Sequence, residues 1–137
     1  MKKKIVMLMV SAGFAVMAQQ SSYFYNSNGR FAGRATRQGS MTYFSNSIGM
    51  PVGRANTQGN TTNFYRSNGM SAGRASTQGN TTYFFNNNGI PVGRAVRSGN
   101  TMYFYNNNGM SAGRANTQGK NTYFFNNNGL PAGRISR

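Results

Sequence analysis

Residues 101–120 read TMYFYNNNGMSAGRANTQGK, and this stretch decides the fold. Residues 101–105 are rich in aromatic and β-favouring side chains, which predicts a strand. The following Asn108-Gly109 pair supplies the positive φ angles of a tight hairpin turn. Residues 110–116 predict a weaker second strand, and residues 117–120 turn the chain again. A helix is excluded because the apolar residues show no 3.6-residue spacing and the stretch holds several glycines.

The same pattern recurs every 20 residues without an insertion. The units are residues 21–40, 41–60, 61–80, 81–100, 101–120 and a shortened 121–137. The aromatic position, which we predict to be structural and to pack across strands, is Phe24, Phe44, Phe64, Phe84, Phe104 and Phe124. The predicted turn position is Gly29, Gly49, Gly69, Gly89, Gly109 and Gly129. This regularity predicts one all-β domain of tandem β-hairpins.

Two all-β architectures fit a hairpin repeat. In an antiparallel meander, equivalent residues of neighbouring units lie two strands apart, roughly 9.6 Å, whereas a β-solenoid stacks them about 4.8 Å apart. The arginine that follows a glycine in every unit favours the meander, because an arginine ladder at strand spacing would repel itself without carboxylates to neutralise it. In a meander each arginine can also lie across a neighbouring aromatic ring. We therefore predict the meander and keep the solenoid as the alternative.

A meander of about twelve strands would be a long single layer with two partly apolar faces and open edges. Sheets of this length usually curl, split or pair with another surface, and exposed edge strands favour polymerisation. The sequence thus predicts self-association. The atypical first unit, with Arg30-Phe31, and the last, with Ile135, are interpreted as capping units.

The first 18 residues have the pattern of a secretory signal peptide. Three lysines at positions 2–4 precede an apolar run of about 13 residues, which is too short to span a bilayer, and the run ends in small residues before Gln19. We therefore predict a signal peptide at 1–18 and a β-repeat domain at 19–137. The sequence has no cysteine for a disulfide or a lipid anchor. These features predict a secreted protein, extracellular or at the cell surface, with the periplasm as a further option.

The charge is one-sided, with fifteen Lys plus Arg and no Asp, Glu or His. General acid–base catalysis near neutral pH relies on His or a tuned carboxylate, and zinc and calcium sites rely on Cys, His or carboxylates. We therefore predict that the protein is not an enzyme, holds no metal or cofactor and has no small-molecule substrate.

A basic protein outside the cytosol attracts polyanions. We predict a structural or adhesive protein that binds anionic polysaccharide, lipopolysaccharide or extracellular DNA. The candidate polyanion-binding residues are Arg34, Arg54, Arg74, Arg94, Arg114 and Arg134. The alternatives are an amyloid-like fibre subunit of a matrix and a cationic protein that binds nucleic acid or membranes. The neutral interpretation is that the arginines only keep an aromatic-rich chain soluble.

The unit resembles the YD-type repeat of large secreted shells and toxin carriers, through residues 79–82 (GNTT) and 83–89 (YFFNNNG). It is also similar to short, signal-bearing proteins of Gram-negative bacteria with tandem Tyr-Tyr-Asp/Asn-x-x-Gly-Arg units, described as fimbrial-adhesin-like. A weaker similarity to curli-like repeats is opposed by three prolines. The resemblance implies a secreted hairpin-repeat adhesin. Asn stands where the pattern has Asp, so it implies turns and no calcium site.

Overall fold

A computed structural model describes residues 21–137, and these residues form twelve β-strands. The strands are β1 (Ser21–Asn26), β2 (Phe31–Gln38), β3 (Met41–Asn46), β4 (Pro51–Gln58), β5 (Thr61–Arg66), β6 (Ser71–Gln78), β7 (Thr81–Phe85), β8 (Pro91–Ser98), β9 (Thr101–Asn106), β10 (Ser111–Gln118), β11 (Asn121–Phe125) and β12 (Pro131–Ser136). The predicted signal peptide lies outside the described residues. Within them, no helix could cross a lipid bilayer.

The strands form an antiparallel meander that closes on itself. Each strand pairs with its neighbours in sequence, and β1 pairs with β12, with Tyr23 opposite Ser136 and Asn26 opposite Gly133. The all-β meander is confirmed, and the solenoid is not. The expected open layer is wrong, because the sheet is a closed barrel in which every described strand has two partners.

Closure follows from the register and from repeated bulges. Arg34 pairs with Tyr23 on one side and with Ser45 on the other, so the register advances by two residues per unit. Such a stagger tilts the strands relative to the barrel axis, as a closed sheet requires. The hairpin within each unit also carries a β-bulge, as between Phe44 and Ser45 opposite β4, whereas the pairing of β2 with β3 of the next unit is regular. Bulges increase local twist and bend the sheet, and their repetition curls the meander until its ends meet.

The interior combines large and small side chains in register. Phe44 pairs with Ala35 on one neighbouring strand and with Gly53 on the other, and it is 4% exposed. Small residues opposite large ones suit the interior of a small barrel. The buried apolar cluster consists of Ala35, Phe44, Ala55, Phe64, Ala75, Phe84, Ala95, Met102, Ala115, Phe124 and Ile135, with Phe24 and Phe104 packed against it.

The two ends of the barrel have different turns. At one end, three-residue turns follow the first strand of each unit, and the N–H of Asn86 donates to the carbonyl of Ile90 across the turn at 2.9 Å. At the other end, two-residue turns begin with glycine at φ near +60°, as at Gly99 with +60°, which matches a type II′ hairpin turn.

Positive φ angles in the three-residue turns fall on glycine alone. Gly89 has φ +80°, whereas Asn88 before it has a negative φ, as do all described residues other than glycine. The expectation that Asn and Gly both adopt positive φ is wrong in this respect. The asparagine contributes through its side chain instead, since Asn86 Oδ1 accepts hydrogen bonds from the N–H groups of Asn88 and Ile90 at 2.9 and 3.0 Å. This geometry is a type I turn ending in a left-handed glycine.

The atypical first and last units are not caps. Ile135 pairs with Phe24 of β1 and with Thr122, and it is buried where the other units have Ala. Phe31 lies on the outer wall and contacts the rings of Tyr23 and Tyr25. Because β1 and β12 join, the described barrel has no free end that would require a cap.

Candidate anion-binding surface

The Gly-Arg step that recurs in every unit places its two residues on opposite sides of the wall. Gly53 and Ala55 are buried, whereas Arg54 between them lies on the outer wall, as strand alternation requires. The bulge resets the alternation at the start of each second strand. The bulge between Ser111 and Gly113 therefore takes Ala112 out of the regular alternation that relates Gly113 to Arg114.

Six arginines form a band around the outer wall, which we call the arginine belt. The belt consists of Arg34, Arg54, Arg74, Arg94, Arg114 and Arg134. Five of them stack on an aromatic ring of the next strand: Arg54 on Tyr65 at 5.2 Å from the ring centroid, Arg74 on Phe85 at 4.7 Å, Arg94 on Tyr105 at 4.9 Å, Arg114 on Phe125 at 4.7 Å and Arg134 on Tyr25 at 4.2 Å. The stacking expected from the sequence is thus present at five positions.

Arg34 is the exception because Ser45 pairs with it where the other units place an aromatic residue. The nearby wall has its own aromatic cluster, in which Phe31 lies 6.5 Å from Tyr23 and 6.0 Å from Tyr25 between ring centroids. Arg34 is exposed, like Arg74.

The stacked geometry orients the guanidinium groups for anion binding. A ring under one face of a guanidinium leaves its N–H donors, which lie in the guanidinium plane, free to point to solvent. Those donors match the oxygens of carboxylates, sulfates and phosphates, including in the bidentate form. The sequence has no Asp or Glu to compete for them. The belt is therefore a series of oriented cations without an internal counter-ion.

Three further arginines, for which the sequence predicts no role, lie at the two-residue-turn end. They share one position of the unit: Arg37, Arg97 and Arg137. Arg37 Nε donates to the carbonyl of Gly39 at 3.0 Å, and Arg137 Nη2 donates to that of Gly119 at 3.1 Å. Each of them follows a buried residue by two positions (Ala35, Ala95 or Ile135), and this spacing predicts that they share the inward face of their strand.

Threonine occupies this position in the other units and forms paired hydroxyls. Thr57 and Thr62 are 3.0 Å apart between their Oγ1 atoms, and Thr77 and Thr82 are separated by the same distance. Together with Arg97 these threonines line an open cavity of about 250 Å³. The threonine hydroxyls that line it are already paired with each other, whereas the stacked belt arginines lie on the outer wall.

The predicted aromatic and turn residues lie apart from the belt. The six phenylalanines of the structural position line the interior, four of them buried and Phe24 and Phe104 partly so. The six turn glycines, Gly29 through Gly129, lie at the end with three-residue turns. The aromatic residues that do contact the belt are those that follow the structural phenylalanine, such as Tyr65 and Phe85.

No family model and no curated protein matches the sequence. One solved structure with a detectable similarity is described as the crystal structure of the GtfA/B complex bound to UDP and GlcNAc. It is 7% identical, with a TM-score of 0.30, and the match covers 74% of this chain and 23% of that one.

Proposed function

We propose that this protein is a secreted structural or adhesive protein that binds anionic polymers of the bacterial surface through the arginine belt. The observation that carries the proposal is the belt itself, in which five outward arginines stack on rings of the same wall. Solubility alone requires no fixed orientation of an arginine, whereas each stack holds a guanidinium in one orientation on the wall.

The barrel supplies a scaffold that suits this role. The belt arginines repeat at every second strand, roughly 9.6 Å apart, so an extended polyanion can contact several of them in turn. Each contact releases counter-ions from the polymer, and the free energies of several contacts combine along one chain.

Closure removes the main argument for fibres. Open edge strands are the usual template for polymerisation, and a closed barrel has none. The twelve described strands are all paired on both sides. Self-association and the amyloid-like alternative therefore lose the support that an open sheet would give them, whereas polyanion binding needs only the outer wall.

A salt titration of binding tests the proposal. Purified protein is titrated into labelled dextran sulfate, and separately into labelled double-stranded DNA, at 50 to 400 mM NaCl. We expect both polymers to bind, because the interaction depends on charge and not on nucleotide sequence. The logarithm of the binding constant should fall linearly with the logarithm of the salt concentration. Absence of binding at 50 mM NaCl would contradict the proposal.

Two triple variants locate the site. The belt variant carries Arg74→Gln, Arg94→Gln and Arg114→Gln. The control variant carries Arg30→Gln, Arg66→Gln and Lys120→Gln, three exposed cations outside the belt.

Both variants lose three charges, so they separate position from net charge. We expect the belt variant to lower the salt slope by about three and the control to lower it by less than about one. Equal losses in the two variants would mean that net charge alone drives binding. Circular dichroism of each variant verifies that the sheet is intact.

A further inference from the structure

The end of the barrel with three-residue turns carries a ring of exposed apolar side chains, which we call the apolar rim. Its members, with their exposed fractions, are Ile48 at 77%, Met50 at 57%, Met70 at 58%, Ile90 at 55%, Met110 at 63% and Leu130 at 60%. Five of the six turns contribute the residue that follows the turn glycine. Exposed apolar residues on five of six turns at one end are unlike the scattered single apolar residues of an ordinary protein surface.

The turns hold these side chains in place. Asn46 Oδ1 accepts hydrogen bonds from the N–H of Ile48 at 3.1 Å and from the N–H of Met50 at 2.9 Å. The equivalent Asn126 binds the N–H of Leu130 at 3.0 Å. Because the backbone is already ordered by these bonds, docking the rim against an apolar phase costs little backbone entropy.

The opposite end has no such residues. Its two-residue turns are Gly39-Ser40, Gly59-Asn60, Gly79-Asn80, Gly99-Asn100 and Gly119-Lys120. The barrel is therefore amphipathic along its axis, with one apolar end and one polar end.

Charge decides which partner fits the rim. Of the fifteen cations in the sequence, twelve remain in residues 21–137 once Lys2, Lys3 and Lys4 are set aside, and no acidic residue opposes them. Two copies meeting rim to rim would bring like charges together with no carboxylate to pair with. An anionic lipid surface meets both requirements, since it offers an apolar phase beneath a layer of negative charge.

We propose that the apolar rim docks end-on into the surface of an anionic lipid bilayer. The Met, Ile and Leu side chains enter the boundary between headgroups and acyl chains. Arg30 and Arg66, which are exposed and flank turns at this end of the barrel, contact the anionic headgroups. This inference goes beyond the proposed function, because it uses the end of the barrel, whereas polymer binding uses the wall.

Vesicle binding of matched variants tests the inference. The rim variant carries Met70→Asn, Ile90→Asn and Met110→Asn. The wall variant carries Tyr43→Asn, Tyr83→Asn and Tyr103→Asn. The third unit already has asparagine, Asn63, at this position. Each protein is co-sedimented with vesicles of phosphatidylglycerol and phosphatidylcholine in equal parts.

We expect the rim variant to lose vesicle affinity by about 50-fold. This factor assumes that each of the three side chains buries the apolar area of about one methylene group in the bilayer. The wall variant should stay within about threefold of the original protein. All variants should bind dextran sulfate as before, so failure of the rim inference is distinguishable from failure of the polymer proposal.

A fluorescence measurement reports insertion directly. The sequence has no Trp, so Met110→Trp introduces a single probe at the rim and Tyr103→Trp a single probe on the wall. Anionic vesicles should shift the emission of the rim probe to shorter wavelength and leave the wall probe unchanged.

Three results would overturn the inference. The first is equal vesicle binding by the rim variant and the original protein. The second is equal binding to vesicles of phosphatidylcholine alone. The third is a blue shift of the rim probe that appears without vesicles and grows with protein concentration, because it would show that a second copy covers the rim.

Discussion

The close approach of Gly53 to the neighbouring strand gives a sharp prediction about stability. A Cβ atom built on Gly53 would lie 2.6 Å from the carbonyl oxygen of Tyr65, whereas ordinary contacts begin near 3.4 Å. Gly53→Ala therefore requires β4 and β5 to separate by about 0.8 Å at this point. Glycines at the equivalent position of the other units make the same contact with the next strand.

We expect Gly53→Ala to lower the free energy of unfolding by about 3 kcal/mol, the upper range for overpacking, because the obstructing atom belongs to the backbone and cannot rotate away. The matched control is Gly59→Ala. Gly59 has φ +60° and no atom within 4 Å of its added Cβ, so this change brings only the cost of a left-handed alanine, about 1 kcal/mol.

Urea unfolding followed by far-ultraviolet circular dichroism measures both changes. With a slope of roughly 1.5 kcal/mol per molar urea, the midpoint should fall by about 2 M for Gly53→Ala and by less than 1 M for Gly59→Ala. A midpoint for Gly53→Ala equal to that of the original protein, or above that of Gly59→Ala, would refute the steric argument for this glycine.

Three further predictions concern the wall, the turns and pH. Ser45→Tyr gives Arg34 the ring that the other belt arginines have, and it should raise the unfolding free energy by about 0.5 kcal/mol, measured in urea. Asn86→Ala removes the acceptor of two turn hydrogen bonds and should lower the free energy of unfolding by about 1 kcal/mol. Arg66→Asn supplies the equivalent acceptor in the third unit and should raise that free energy. A change of the same sign in both variants would contradict the role of this side chain. Binding to dextran sulfate should be constant from pH 5 to pH 8 in fluorescence anisotropy, because the sequence has no Asp, Glu or His to titrate there; a change of more than about threefold would contradict it.

The strands and turns were predictable because each unit carries their signals locally. Aromatic residues mark the first strand, and Pro51, Pro91 and Pro131 begin the second strand of their units, as expected for residues without an N–H donor. Closure was not predictable from one unit. It depends on the register advance between units and on the bulge in the hairpin within each unit, and both accumulate only when all the strands pair.

The outer arginines were predictable, and their partners only partly so. Alternation separates Arg94 from the buried Ala95, but the bulge determines which ring it meets on the next strand, here Tyr105. The sequence does not predict the rim, because residues 110–116 together predict a strand that includes Met110. In the structure it precedes β10 and lies in the turn, so its exposure follows from where the strand begins.

The register advance of two residues per unit has a consequence for how such a gene could change length. Duplication or loss of one 20-residue unit adds or removes two strands, so the number of strands stays even and the first and last strands still meet antiparallel. The diameter, however, grows roughly in proportion to the number of strands. A longer relative could therefore close as well as this chain does, but its ring of phenylalanines would leave an opening along the axis. The number of units would then determine whether the interior of the barrel is filled by side chains or open along its axis.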